Sequence, residues 1–227
     1  MWLGFWAAAL LPLGGRAGGV ERDVLSEGMK ISLARWFLAV AAILAIAPWA
    51  SAHPGHEGDH GGVTWDFSGG FAHPLSGWDH LLAMIAVGLW AAQLGGRARW
   101  LVPSAFVAAM AAGAALGRAG FHLPGSDQAI AASVLVLGLL LARAVRLPVT
   151  AGIALVGAFA IFHGWAHGAE MPATARGLGY GAGFVLATAG LHAVGVGLGS
   201  LAARRSEKVS RYAGWAVTAA GVALFAA

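Results

Sequence analysis

The sequence predicts an all-α polytopic membrane helix bundle, six transmembrane helices after a cleaved N-terminal signal peptide, and three observations carry that expectation. Of 227 residues 59% are hydrophobic and only 11% charged, and the mean hydropathy is +0.73, outside the balance of a water-soluble domain. The apolar residues fall into six runs long enough to cross a bilayer. The basic residues are dense in alternate breaks between those runs, as they are in loops on one side of a membrane.

The N-terminus reads first as a targeting segment. From Met29 the chain carries Lys30 and Arg35, an apolar run over 36–47, Pro48, and then Ala50-Ser51-Ala52. A positive start, a short apolar centre and an Ala-x-Ala site make a secretory signal. The run is about 12 residues, short of the roughly 30 Å of hydrocarbon at about 1.5 Å per residue. Cleavage after Ala52 is predicted, leaving His53 as the mature N-terminus outside the cytoplasm. Residues 1–28 precede a complete signal at 29–52, so they read as an upstream extension, with Met29 the true start. An exterior His-rich segment over 53–75 and a transmembrane domain over 76–227 follow.

The six spans are predicted at 77–95, 100–118, 128–145, 149–170, 176–200 and 209–226. With the mature N-terminus outside, the first, third and fifth loops face the cytoplasm. They carry Arg97, Arg99, Arg143, Arg146, Arg204, Arg205, Lys208 and Arg211, against Arg118 and Arg176 in the outer loops. Eight against two is the asymmetry of the positive-inside rule, and it agrees with both mature ends lying outside. Because these basic residues sit in clusters between apolar runs, they read as topology determinants and not as a nucleic-acid surface. Gly164 with Gly168, and Gly177, Gly179, Gly181 and Gly183, are expected to let helix backbones approach closely within a bundle.

Polar groups inside such runs are costly, by roughly 2.5–3.5 kcal/mol each at the helix centre, and are usually kept for an ion path or a catalytic site. His163, His167 and Glu170 follow one another at helical spacing within 149–170 and share a stripe. His73-Pro74-Leu75-Ser76-Gly77-Trp78-Asp79-His80 stands at the outer mouth of the first span, with Pro74 suited to its first turn and Asp79 to its positive end. Met84 lies four residues after His80 and offers a thioether on the same face. Thr188 and His192 share a face of the fifth span, His192 being the deepest ionisable group and the inner end of a polar path. The tract His53-Pro54-Gly55-His56-Glu57-Gly58-Asp59-His60 reads as an exterior metal collector, with His53, His56 and His60 its imidazoles. His122, beside Pro124 and Gly125, reads as a turn residue. There is no cysteine, so a metal here must use imidazole, carboxylate, thioether, hydroxyl or backbone donors.

Three motifs in chain order carry a resemblance. His73-Pro74-x-x-Gly77-x-Asp79-His80, Phe162-His163-Gly164-x-Ala166-His167-Gly168-x-Glu170 and Gly183-Phe184-x-x-Ala187-Thr188-x-x-Leu191-His192 resemble those of the HupE/UreJ family of membrane proteins. The resemblance implies a nickel permease, sometimes assigned to cobalt, that supplies metal for hydrogenase or urease maturation in the bacterial inner membrane. It implies metal-handling roles for His73, Asp79, His80, His163, His167 and Glu170, with Phe162 beside them. Nickel(II) and cobalt(II) accept mixed imidazole and carboxylate donors, and the metal is cargo, with no cofactor expected. With no Walker A motif, and Lys30 and Lys208 the only lysines, nucleotide hydrolysis by a P-loop mechanism is not expected. The alternatives are an intramembrane zinc-dependent hydrolase, in which Glu170 serves as ligand or general base, and a metal-binding sensor or storage protein. The expected partners are the lipid bilayer and a divalent metal ion, with oligomer and accessory components left open.

Overall fold

The computed structural model describes residues 65–171 and 177–226, and among them every regular element is a helix. The helices are α1 (Phe67–Ser76), α2 (Trp78–Leu94), α3 (Ala98–Arg118), α4 (Ser126–Ala142), α5 (Val149–Glu170), α6 (Gly177–Arg205) and α7 (Glu207–Ala226). Helices α2 to α7 fall within a few residues of the six expected spans. The signal at 29–52, the upstream residues 1–28, the His53, His56 and His60 tract, and Arg176 lie outside the described residues.

One expectation changes and another is met in part. Pro74 lies within the last turn of α1 instead of opening the first span. Asp66 caps α1, its carboxylate accepting from the Gly69 amide at 2.9 Å and the Ser68 hydroxyl at 2.7 Å. The helix ends at Gly77, whose extended backbone (φ −97°, ψ 124°) turns the chain by 83° into α2. The bend creates a new helix N-terminus, at which Trp78 is exposed and Asp79 half-buried.

The expectation met in part is the span count. Among the described residues, only α3, α5 and α6 are each long and apolar enough to cross a bilayer alone, and the bent pair α1 and α2 qualifies when taken as one span. Helix α4 has 17 residues, about 26 Å at helical rise and short of the hydrocarbon thickness. Helix α7 opens with Glu207, Lys208 and Arg211, which dilute its apolar character.

Surface and interior are arranged as lipid contact requires. Leu178, Leu186, Leu198 and Leu201 of α6, and Trp100 of α3, point outward, whereas glycine and polar side chains face the helix contacts. Helix α3 packs most extensively on α5, α4 on α7, and α6 on both α2 and α1. At the α3–α5 crossing the small residues are reciprocal. A Cβ on Gly164 or Gly168 would strike the carbonyls of Met110 or Ala114, and one on Gly113 or Gly117 those of Ile161 or Trp165. With Gly164 and Gly168 turned onto α3, His163 and His167, one residue earlier in each turn, face the neighbouring α2 and α4. Gly181, expected to serve the same purpose, has nothing within 4 Å of its Cβ position.

Side chains from two neighbouring helices tie down the C-terminal end of α4. Gln93 donates to the Leu141 carbonyl (3.2 Å), Arg211 to Ala142 (3.1 Å) and Trp90 to Val145 just beyond (3.1 Å). These carbonyls would otherwise lack partners at the helix end. The ties hold α4 in register beside α5.

Candidate metal pathway

Six rings form a file through the bundle. The His73 and His167 centroids are 4.6 Å apart, His167 and His80 4.6 Å, and His80 and His163 5.1 Å. Phe106 of α3 follows at 5.6 Å from His163 and 5.0 Å from His192. His73 is half-buried, whereas His80, His163, His167 and His192 are buried. The file therefore runs from α1 through α2 and α5 to α6, and from partial exposure to full enclosure.

At its outer end the polar atoms satisfy one another. The Asp79 carboxylate accepts from the His80 backbone amide at 2.8 Å and lies 2.8 Å from its ring Nδ1. An ionised carboxylate only accepts, so Nδ1 carries the proton and Nε2 is left as a donor of electrons. That Nε2 stands 2.6 Å from Nε2 of His167, a contact in which His167 donates its N–H. Gly77 makes room for the arrangement: a Cβ there would come 2.7 Å from Asp79 Oδ1. Asp79, expected as a ligand, thus acts here on His80, in the way carboxylates orient metal-binding histidines.

Farther in, each imidazole is tied to a group that does not titrate. His163 Nε2 lies 3.0 Å from the hydroxyl of Ser133, and His192 Nδ1 donates to the Met84 carbonyl at 2.8 Å. The other ring nitrogens, His163 Nδ1 and His192 Nε2, are buried without a hydrogen-bond partner. Met84 meets His192 through its backbone, and its fully buried side chain packs in the core. The buried Thr188 hydroxyl contacts Met110 Sδ at 3.9 Å. His192 also borders a hollow of about 460 Å³ between α3 and α6, lined by Trp100, Val107 and Val185, with Arg99 and Ser104 among its polar margins.

The structure brings together His73, Asp79, His80, His163 and His167 but leaves Glu170 apart. Glu170 is the last residue of α5 and is exposed, so it flanks the mouth of the file instead of joining the rings. Phe162 is half-buried, and His122 lies exposed in the α3–α4 connection beside the Trp165 ring, as a turn residue would. Among the described residues, no three His, Asp or Glu side chains converge as a ready metal cage. The donors bond to one another instead. Two imidazole nitrogens sharing one ion tetrahedrally, at about 2.0–2.1 Å each, stand about 3.3 Å apart, so His80 and His167 must part by about 0.7 Å to admit it.

Phe106, Ser133 and Met110 were not legible as members of this path. Phe106 and Met110 look like ordinary apolar residues of a span, and Ser133 is a lone hydroxyl in an apolar run. The one available hint was that any polar side chain deep in such a run requires a partner.

Residues 41–224 match the family model described as HupE / UreJ protein. Protein HupE of Rhizobium leguminosarum bv. viciae is 48% identical over 184 residues, covering 81% of this chain and 93% of the relative. No solved structure matches the chain. With its three histidine motifs gathered into one buried file and most of its length matched, the chain belongs to the HupE/UreJ family.

Proposed function

We propose that the chain is a secondary permease that carries a divalent metal ion inward across the bacterial inner membrane, nickel(II) first and cobalt(II) as the second cargo, for hydrogenase or urease maturation. The observation that carries this reading is the file of rings from the half-buried His73 to the buried His192, five imidazoles with Phe106 set between His163 and His192. A single-site enzyme or sensor does not need donors at successive depths. A metal moving through a low-dielectric interior does, because each nitrogen replaces hydration lost at the step before.

In this proposal the mature chain begins at His53 and crosses the membrane six times, with both ends in the periplasm. The loop-charge asymmetry and the positions of α2 to α7 support that topology. His53, His56 and His60 collect metal outside, and Glu170 attracts it to the mouth. His73, His80 and His167 bind it once the His80–His167 contact opens, with Asp79 raising the basicity of His80. His163 and then His192 receive it, with Thr188 beside them, and the hollow next to His192 is the way out of the packed core. Cargo selectivity comes from geometry and supply, since intrinsic affinity alone favours copper.

The test is uptake of radioactive nickel(II) into proteoliposomes holding the purified mature chain, with cobalt, zinc and copper as competitors. Saturable flux is expected, lost in the His163→Ala, His167→Ala double variant at equal abundance. Flux retained in that variant would sink the proposal. Turnover of a lipid or peptide without flux would favour the zinc hydrolase, and binding without flux a sensor or store.

A further inference from the structure

We infer that Ser133 is a positioning residue that fixes the tautomer of His163, so that His163 presents Nδ1, and not Nε2, to a divalent metal. That consequence for metal rests on the permease function proposed for the chain; the tautomer itself does not.

Ser133 sits on α4, fully buried, and its hydroxyl oxygen faces two atoms: the Ile130 carbonyl at 2.6 Å and His163 Nε2 at 3.0 Å. A hydroxyl has one proton to give. Were it given to Nε2, the Ile130 oxygen and Oγ would stand as two bare acceptors at 2.6 Å, a repulsive contact. The proton therefore goes to Ile130, and Oγ accepts from the ring. Nε2 of His163 carries the N–H, and the neutral imidazole has none left for Nδ1.

Nδ1 is buried and has no hydrogen-bond partner in the protein. A proton placed there would be a buried donor without an acceptor, which folded proteins rarely tolerate. A bare lone pair, by contrast, is what a metal binds. The neighbouring rings, His80 at 5.1 Å and Phe106 at 5.6 Å, enclose it within the file.

His192 is an internal comparison. Its Nδ1 faces the Met84 carbonyl, which can only accept, so its free nitrogen is Nε2. The two histidines on either side of Phe106 thus offer opposite ring nitrogens. The orientation of His192 is locked by the backbone and no side-chain substitution removes it. That of His163 depends on a single side-chain oxygen, which one substitution deletes.

The experiment is ¹⁵N NMR of the histidine-labelled mature chain in lipid nanodiscs, with His163 assigned by its loss in His163→Gln and with diamagnetic zinc(II) as the probe. Wild type is expected to show His163 protonated at Nε2 and bare at Nδ1, with Nδ1 shifting on zinc addition. Ser133→Ala is expected to mix the tautomers and lower nickel uptake about tenfold at equal abundance, as loss of groups orienting a metal ligand does. Ser133→Thr, which restores the hydroxyl, should restore both. Protonated Nδ1 in the wild type, or an unchanged tautomer in Ser133→Ala, would overturn the inference. Should Ser133→Ala fail to fold, the wild-type tautomer and the Ser133→Thr spectrum decide the matter. A zinc-responsive Nδ1 in a chain that moves no nickel would uphold the role of Ser133 and remove the permease instead.

Discussion

The outer and inner halves of the ring file solve the same problem in opposite ways. At the outer end, His80 and His167 bond to each other and Asp79 bonds to His80, so the polar atoms are satisfied when no metal is there. At the inner end, Ser133 and the Met84 carbonyl each use one nitrogen of a histidine and leave the other with no partner. The outer set, reached past the half-buried His73, has a ground state closed on itself. The inner set is enclosed by protein, and one ring nitrogen of each histidine has no hydrogen-bond partner there. In the proposed transport, an ion breaks a contact to enter and meets unpartnered nitrogens afterwards.

Both halves depend on the α3–α5 crossing, so the largest effect is expected there. Gly164→Val places a side chain against the Met110 carbonyl and should abolish folded protein in the membrane, whereas Gly181→Ala, facing open space, should leave it unchanged. Size-exclusion profiles and thermal melts of the two variants check this; equal stability would mean that the crossing does not set the file.

Asp79→Asn separates the halves. It removes the charge that hydrogen-bonds and orients His80, so it should raise the half-saturating nickel concentration by about tenfold and lower the maximal rate less. A fall in maximal rate alone would place Asp79 in the later, inner steps.

Acidification sharpens the contrast further. Protons and metal compete for the same lone pairs, and only neutral imidazole binds, so uptake should decline as pH falls and recover as it rises. Between pH 7.5 and 5.5 the loss is expected in apparent affinity more than in maximal rate, because protons compete with metal at the capture step. A flat profile of initial rates across this range would contradict outer histidines as the capture step.

The smallest effect is expected at Glu170. An exposed charge at the mouth attracts cations through solvent, so Glu170→Gln should lower uptake about twofold at low salt and less at physiological ionic strength, where screening acts over about 8 Å. A larger loss that salt does not relieve would show that Glu170 joins the rings during transport.

Much of the fold and part of the site could be read from the chain alone. Apolar run lengths located α2 to α7, since each run is a local property and helical rise converts it to a depth. The same periodicity put His163 and His167 on one face, and Thr188 with His192 on another. It failed at His73, where Pro74 suggested a helix start and the backbone instead closes one helix and turns 83° at Gly77 into the next. It also overstated the reach of Glu170, because a shared stripe fixes rotation but not whether a helix end projects from the bundle.

The sequence by itself determined that this chain is helical and membrane-adapted, and which side chains bring imidazole into apolar surroundings, because hydrophobicity and helical period act between near neighbours. Only the tertiary structure decided which ring nitrogen is free. The contacts that decide it join residues 30, 87 and 108 positions apart: Ser133 with His163, His80 with His167, and Met84 with His192. These depend on how each helix is rotated against the next, and that rotation is set by where glycines permit two backbones to touch, a property of pairs of helices that spacing along one chain does not contain.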